Sequence, residues 1–237
     1  MAMYNEKESV EPVTSEIDAA LTQAEIPYEI ICVSNGSTDG TEEKLADLSK
    51  KNSKIRPLLL KEKGYGRAVI AGMEQAQYAY IAVVVSDGQT PPKDIIKAYE
   101  TISTTGADVI KPRRTNRTEG ILRLVLVGIF NILVKILFSV PGWDIDGQPK
   151  VVRKDFLRKL KLESKDFFID SEIIIKTRHL GGKTVEIPVE WRTRERGTPF
   201  IARALFRTSR TYLKNLIHWR IHYNTLVVQK LSSFKQV

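Results

Sequence analysis

Val33-Ser34-Asn35-Gly36-Ser37-Thr38-Asp39-Gly40-Thr41 joins an apolar strand to a polar helix, and the fold is read outward from it. The strand covers 28–33. Asn35, Gly36 and Gly40 supply turn chemistry, and Thr38 or Asp39 is placed to cap the helix that carries Glu42, Glu43 and Lys44. A polar strand-to-helix turn is where α/β proteins hold ligands, and it also serves simply to turn the chain. A second such junction follows the strand at 80–85, as Ser86-Asp87-Gly88-Gln89-Thr90-Pro91-Pro92.

Around these junctions helix and strand alternate. Helices are expected over 13–24, 41–51, 66–77 and 93–103, with strands over 28–33, 55–60, 80–85 and 107–110. That alternation predicts an α/β fold, a Rossmann-like and mostly parallel sheet flanked by helices. Parallel strands end on one edge, so the two polar loops are expected to meet there. The second half adds an apolar helix at about 119–139, a loop over 141–149, a strand over 150–153, a helix over 171–179 stopped by Gly181-Gly182, and a strand over 184–189.

With 237 residues, 42% of them hydrophobic, the chain is long enough to bury one sizeable core. The single cysteine, Cys32, lies inside an apolar strand and reads as packing in a reducing compartment. His179, His218 and His222 are too scattered to make a zinc cluster with it. The N-terminus is polar from Tyr4 onward, so no signal peptide is read.

The net charge of +9 is concentrated: residues 201–237 hold seven basic side chains and no Asp or Glu. This divides the chain into a near-neutral domain, 1–200, and a basic amphipathic helical tail, 201–237. Arg203, Arg207, Arg210 and Lys214 fall on one helical face and Leu205, Phe206, Tyr212, Leu213, Leu216, Ile217 and Trp219 on the other. Such a helix either packs on the domain or lies on a membrane surface; nucleic acid is not the expected partner, because no recognition module accompanies the charge. In the apolar helix at 119–139, Arg123, Asn131 and Lys135 argue against a span, since each central Arg or Lys costs about 3 kcal/mol in a bilayer. Burial against the domain or half-insertion at the interface fits better.

These segments in this order resemble the family 2 glycosyltransferases of the GT-A fold, most closely the branch of dolichyl-phosphate mannose synthases and other polyprenyl-phosphate sugar transferases. The resemblance rests on Tyr4-Asn5-Glu6, on Ser34 to Thr41, on Lys63-Gly64-Tyr65-Gly66-Arg67-Ala68 and on Asp87-Gly88-Gln89-Thr90-Pro91-Pro92. It continues through Asp144-Ile145-Asp146-Gly147, Phe168-Ile169-Asp170-Ser171-Glu172 and Glu186 to Trp191 with Arg194.

The resemblance implies transfer of a sugar from a nucleotide-sugar donor to a polyprenyl (dolichyl-type) phosphate, with inversion and with Mg²⁺ or Mn²⁺ assistance. It implies a protein held peripherally at the cytoplasmic face of the membrane, in cell-wall or glycan assembly, because relatives that span the bilayer do so beyond the position of Val237. On this reading Asp87 and Gln89 are the metal ligands, and Asp87, Arg113 and Asp170 the catalytic candidates. Tyr4, Asn5, Glu6, Ser34, Asn35, Lys63, Gly64 and Gly66 fall on the donor side. Arg123, Lys150, Glu172 and Arg194 complete the substrate-binding set. Alternatives stay open at single positions: Asp87 also suits a helix cap, Tyr4 an exposed turn, and Asp170 and Glu172 a helix N-terminus, which favours acids.

The chain departs from the family pattern in three places. Ser34-Asn35 replaces two acids of the nucleotide loop, Val85 replaces the first acid of the metal loop, and only Met1-Ala2-Met3 precedes Tyr4, so the first strand is expected to be missing. These departures keep two rivals in play: a catalytically degenerate relative acting as a binding or accessory protein, and a transferase acting on a polysaccharide or protein hydroxyl.

Overall fold

The computed structural model describes residues 1–117, 120–194 and 210–221. In chain order they form β1 (Ala2–Met3), α1 (Val10–Gln23), β2 (Ile30–Asn35), α2 (Thr41–Lys51), β3 (Ile55–Leu60), α3 (Tyr65–Gln75), β4 (Tyr80–Val83) and α4 (Pro92–Thr105). Then follow β5 (Val109–Arg114), α5 (Ile121–Phe138), β6 (Lys150–Arg153), α6 (Lys154–Leu160), α7 (Ile169–His179), β7 (Thr184–Val189) and a further helix at 210–221.

The strands lie in two sheets, β1-β2-β3 and β4-β6-β5-β7, joined by one parallel bridge from Ala2 to Val85. All pairings are parallel except those of β6, which runs antiparallel to both β4 and β5. The apolar strands and inward helix faces supply the core. Cys32, Val33, Val109, Val152, Ile173 and Ile174 are essentially inaccessible. Burial raises the Cys32 thiol to about 11, so it is an inert packing group.

The expectation of a missing first strand needs correction. A two-residue β1 stands in the interior position, pairing Ala2 with Val33 and Met3 with Ser34. Beside β1, β2 and β4 border an apolar cleft of about 310 Å³, lined by Ile31, Val33, Val69, Met73, Ile81 and Val83. The Met1 ammonium stands in this cleft, donates to the Ile31 carbonyl at 2.8 Å, and has its pKa lowered by burial.

Other boundaries shift by a few residues. β5 runs to Arg114 rather than stopping at 110, because Lys111 and Arg114 find acidic partners in Glu186 and Asp144. The short helix α6 has no counterpart among the expected elements; its seven residues bury Phe156 and Leu160.

Candidate active site

The loops that leave β1, β2 and β4 meet at one sheet edge, as parallel topology requires. Asn5, in the left-handed region at φ 55°, accepts from the Thr38 amide through Oδ1 at 2.9 Å, and its own amide donates to Ser37 Oγ. The Glu6 amide donates to Thr41 Oγ1 at 3.0 Å and the Lys7 amide to Asp39 Oδ2 at 3.1 Å. These bonds stitch Tyr4-Asn5-Glu6 to the turn after β2. Gly40, rather than Thr38 or Asp39, stands at the N-cap of α2, and Asp39 Oδ1 accepts from the Thr41 amide at 3.0 Å just ahead of the helix.

Tyr4 and Lys63 come together: Lys63 Nζ donates to the Tyr4 hydroxyl at 2.7 Å and lies 4.5 Å from the ring centre. Asn35 Oδ1 accepts from the Gly64 amide at 2.7 Å, tying the two loops to each other. Ser34 is fully buried and donates to Glu42 Oε1 at 2.6 Å, so it turns toward α2. Gly66 permits a close approach, since a Cβ there would stand 2.1 Å from the Ser164 carbonyl oxygen. Its amide donates to the Lys165 carbonyl at 3.2 Å, which seats the start of α3 against the loop before α7.

Asp87 lies where these loops meet Arg194. Gly88 follows it at φ 78°, and the Gln89 amide donates to Asp87 Oδ1 at 3.1 Å. The Gln89 side-chain amide donates to the Arg192 carbonyl, and the Arg192 backbone amide returns a bond to the Gln89 carbonyl, both at 3.0 Å. This pair of bonds places Arg194 over Asp87. Arg194 Nη1 lies 3.4 Å from Asp87 Oδ2, and Nη2 lies 3.0 Å from both oxygens of Glu6. Burial raises the pKa of Asp87, an effect opposed by the Gln89 amide and by the charges of Arg194 and Arg123. Glu6 is likewise raised by burial, against the Ser9 hydroxyl and Arg194. Asp87 thus faces cations and its own loop, and Pro91 rather than Asp87 stands at the N-cap of α4.

Several sequence candidates lie elsewhere. Alternation along β5 sends Lys111 and Arg113 to Glu186, with Arg113 Nε 3.5 Å from Glu186 Oε1, while Arg114 makes a two-pronged contact with Asp144 and sits 4.8 Å from the Trp191 ring centre. Arg113 therefore faces Glu186, not Asp87. Lys150 has no exposed side-chain surface; its Nζ donates to Asp170 Oδ1 at 2.8 Å and to the carbonyls of Asp170 and Ile145 at 3.1 Å. Asp170 is engaged by Lys150 and by Gln148 Nε2 at 2.7 Å. Glu172 is buried, accepts the amides of Glu163 and Ser164, and pairs with Lys176 at 2.7 Å. All three side chains are buried in these polar contacts.

Beside them sits a half-buried polar group absent from the sequence candidates. Asp146 accepts from Ser171 Oγ at 2.7 Å, and its pKa rises to about 6, first from burial and then from the neighbouring Asp170. Tyr65 and Tyr212 close the cluster, both with hydroxyls raised well above the ordinary tyrosine value by burial. The signal available in the sequence was the density of polar side chains around Asp144 to Lys150, a stretch the core had to absorb.

Asp87, Glu6 and Gln89 supply oxygen donors of the kind a hard divalent cation takes. Glu6 provides the second carboxylate near Asp87 that Val85 does not. Among the described residues no group of three or more His, Cys, Asp or Glu gathers into a metal cluster. Two carboxylates and an amide suit a cation that shares its shell with phosphate oxygens.

Residues 1–161 match the family Glycosyl transferase family 2. The chain is 32% identical over 203 residues to dolichol-phosphate mannosyltransferase of Pyrococcus furiosus, covering 82% of this chain and 56% of that protein. It is 28% identical over 199 residues to undecaprenyl-phosphate 4-deoxy-4-formamido-L-arabinose transferase of Pectobacterium carotovorum, covering 83% of this chain and 59% of that protein. The chain thus spans less than two thirds of the length of these curated relatives. In fold it resembles mannosyl-3-phosphoglycerate synthase of Rubrobacter xylanophilus, with TM-score 0.73 at 15% identity over 94% of this chain and 73% of that one. It also resembles glucosyl-3-phosphoglycerate synthase of Mycobacterium tuberculosis in complex with Mn²⁺, UDP and glucosyl-3-phosphoglycerate, with TM-score 0.69 at 18% identity over 91% of this chain and 77% of that one. The GT-A sheet, the loops gathered at its edge around Asp87 and the match over 1–161 lead to one conclusion: the chain belongs to glycosyl transferase family 2.

Proposed function

We propose that the chain transfers a sugar from a nucleoside diphosphate donor to a polyprenyl phosphate, working as a peripheral protein at the cytoplasmic face of a membrane. One observation carries the acceptor reading. Arg123, whose charge is felt at Asp87, lies in the first turn of α5, and from there an apolar stripe of Ile121, Val125, Ile129, Ile132 and Ile136 runs exposed along the helix. A lipid phosphate held at Arg123 would have its chain against that stripe. Both curated relatives carry a polyprenyl phosphate in their names.

In this reading Asp87, Glu6 and Gln89 would hold a divalent cation, whose charge would offset that of the leaving diphosphate. Tyr4 and Lys63 border the base, and Arg123 and Arg194 orient phosphates by charge-assisted hydrogen bonds. An acceptor phosphate is already ionised at neutral pH. Its oxygen bonds to the anomeric carbon as the bond to the donor diphosphate breaks, with inversion and with no proton to remove. The buried placement of Asp170 and Glu172 accords with this, because no general base is required.

α5 is the one described helix long and apolar enough to cross a membrane. Its polar residues have protein partners instead: buried Asn131 accepts the Ile145 amide at 2.9 Å, and Lys135 lies 3.9 Å from the Trp143 ring centre. Half-insertion is the better use of its exposed face. In the helix at 210–221, Tyr212, Leu216 and Trp219 turn to the core, Trp219 stacking with Phe168 at 6.5 Å, which leaves Leu213, Ile217 and Ile221 outward with Arg210 and Lys214. The apolar face expected of the tail is therefore divided between core and exterior. Arg203, Leu205, Phe206 and Arg207 lie outside the described residues.

The test is turnover with undecaprenyl phosphate in anionic liposomes against a water-soluble phosphate acceptor, using UDP- and GDP-sugars. We expect product only with the lipid. A triple variant of the exposed α5 stripe, Val125→Asp with Ile129→Asp and Ile136→Asp, should lose most sedimentation with anionic vesicles while keeping its melting temperature. Equal turnover on the soluble acceptor would overturn the lipid reading. A second reading, an accessory protein without turnover, is favoured by Arg194 neutralising the retained acid; nucleotide binding without product would select it.

A further inference from the structure

Arg194 occupies an unusual place: one guanidinium between two acids that belong to different loops. Its Nη2 reaches both Glu6 oxygens at 3.0 Å and its Nη1 reaches Asp87 Oδ2 at 3.4 Å, and all three side chains are 10–15% exposed. We propose that Arg194 is a displaceable counter-cation that competes with the divalent cation for the Glu6–Asp87 pair, so that cation and nucleoside diphosphate bind together far better than the cation binds alone. This rests on the reading of Asp87 as the cation-binding acid.

Both carboxylates are anchored without Arg194. Ser9 Oγ donates to Glu6 Oε2 at 2.5 Å, and the Glu6 amide is fixed on Thr41. Asp87 is held by the Gln89 amide, and its loop by the two Gln89–Arg192 bonds. The acids therefore continue to face each other when the guanidinium leaves. Two carboxylates in so enclosed a place need a positive charge between them, and Arg194 supplies it.

The anchor for the exchange is two residues away. Arg192 is pinned by its backbone bonds to Gln89 and by Nη1 to Glu16 at 2.7 Å, so Arg194 can redirect its long side chain without moving the strand exit. A planar guanidinium released from carboxylates binds phosphate oxygens in the same two-pronged way. A diphosphate that arrives with its cation therefore satisfies both partners of the broken ion pair: the cation takes the acids and Arg194 takes the phosphate. A cation arriving alone must displace Arg194 with nothing to receive it. The result is coupling between the two ligands, equal for either order of addition.

Isothermal titration with Mn²⁺, alone and with UDP present, tests this on the full chain. In the unsubstituted protein Mn²⁺ alone should bind weakly, and UDP should strengthen it at least tenfold. Arg194→Gln should bind Mn²⁺ alone about tenfold more tightly and lose most of the UDP enhancement. Arg194→Lys, which keeps the charge but not the fork and guards against misfolding of the first variant, should gain a few-fold. Adding Glu6→Gln to Arg194→Gln should remove the gain. If neither Arg194 variant binds Mn²⁺ more tightly, or if the UDP enhancement survives both, the proposal is overturned. The underlying site is judged separately: Mn²⁺ binding that is unaffected by Asp87→Asn would sink the assignment of Asp87, whereas binding that needs Asp87 but ignores Arg194 would sink only the competition.

Discussion

Asp87→Asn is expected to abolish cation-dependent nucleotide binding and to lower turnover by about 10²–10³-fold, the usual effect of removing one group that stabilises charge in a transition state. The fold should not suffer. Burial raises the Asp87 pKa, so the folded protein disfavours the ionised form, and a neutral amide of the same shape removes that penalty. The melting temperature should hold steady or rise slightly while UDP binding in the presence of Mn²⁺ disappears from the calorimeter. A variant that still binds UDP with Mn²⁺ dependence would move the cation away from the loop after β4. A variant that unfolds would make Asp87 structural and remove it from the chemistry.

Asp170→Ala should destabilise the protein by about 3–5 kcal/mol, since it leaves a buried ammonium without its counter-charge. Lys150 has no exposed side-chain surface, and two carbonyl oxygens are its remaining acceptors. Lys150→Met should do comparable damage by leaving Asp170 beside Asp146, an arrangement of like charges in the core. The double variant Lys150→Met with Asp170→Leu should recover much of the loss, because both members of the buried pair are gone and Asp146 no longer faces the Asp170 charge. Urea titration of the three variants reads the coupling directly. Losses below about 1 kcal/mol for both single variants would mean that water reaches the pair, and Asp170 would return as a candidate for the chemistry.

The local pattern of the chain carried the architecture. Strand, polar turn and helix recur through the first half because each strand of a covered parallel sheet must be apolar and each crossover must expose a polar face. The same turns marked where the loops gather, and Tyr4-Asn5-Glu6, Lys63 and Asp87 do converge at one edge. β1 was harder to read, since two residues carry no periodicity. Its pairing follows from backbone groups of β2 that need partners in the interior.

Residue types at the site were legible, but their directions were not. Asp170, Glu172 and Lys150 read equally well as site residues or as helix-end and surface charges, and the structure buries all three in ion pairs. Arg113 and Arg114 are adjacent in sequence, and strand alternation sends them to Glu186 and Asp144 on opposite faces.

The sequence by itself determined the family, the α/β alternation, the loops that meet at the sheet edge and the basic bias of residues 201–237, because each is a matter of local pattern or composition. Only the tertiary structure decided which charges face one another. Glu6 and Arg194 stand 188 positions apart in the chain and 3.0 Å apart in space, and such a contact follows from how sheet edges and crossovers close, which no local pattern encodes.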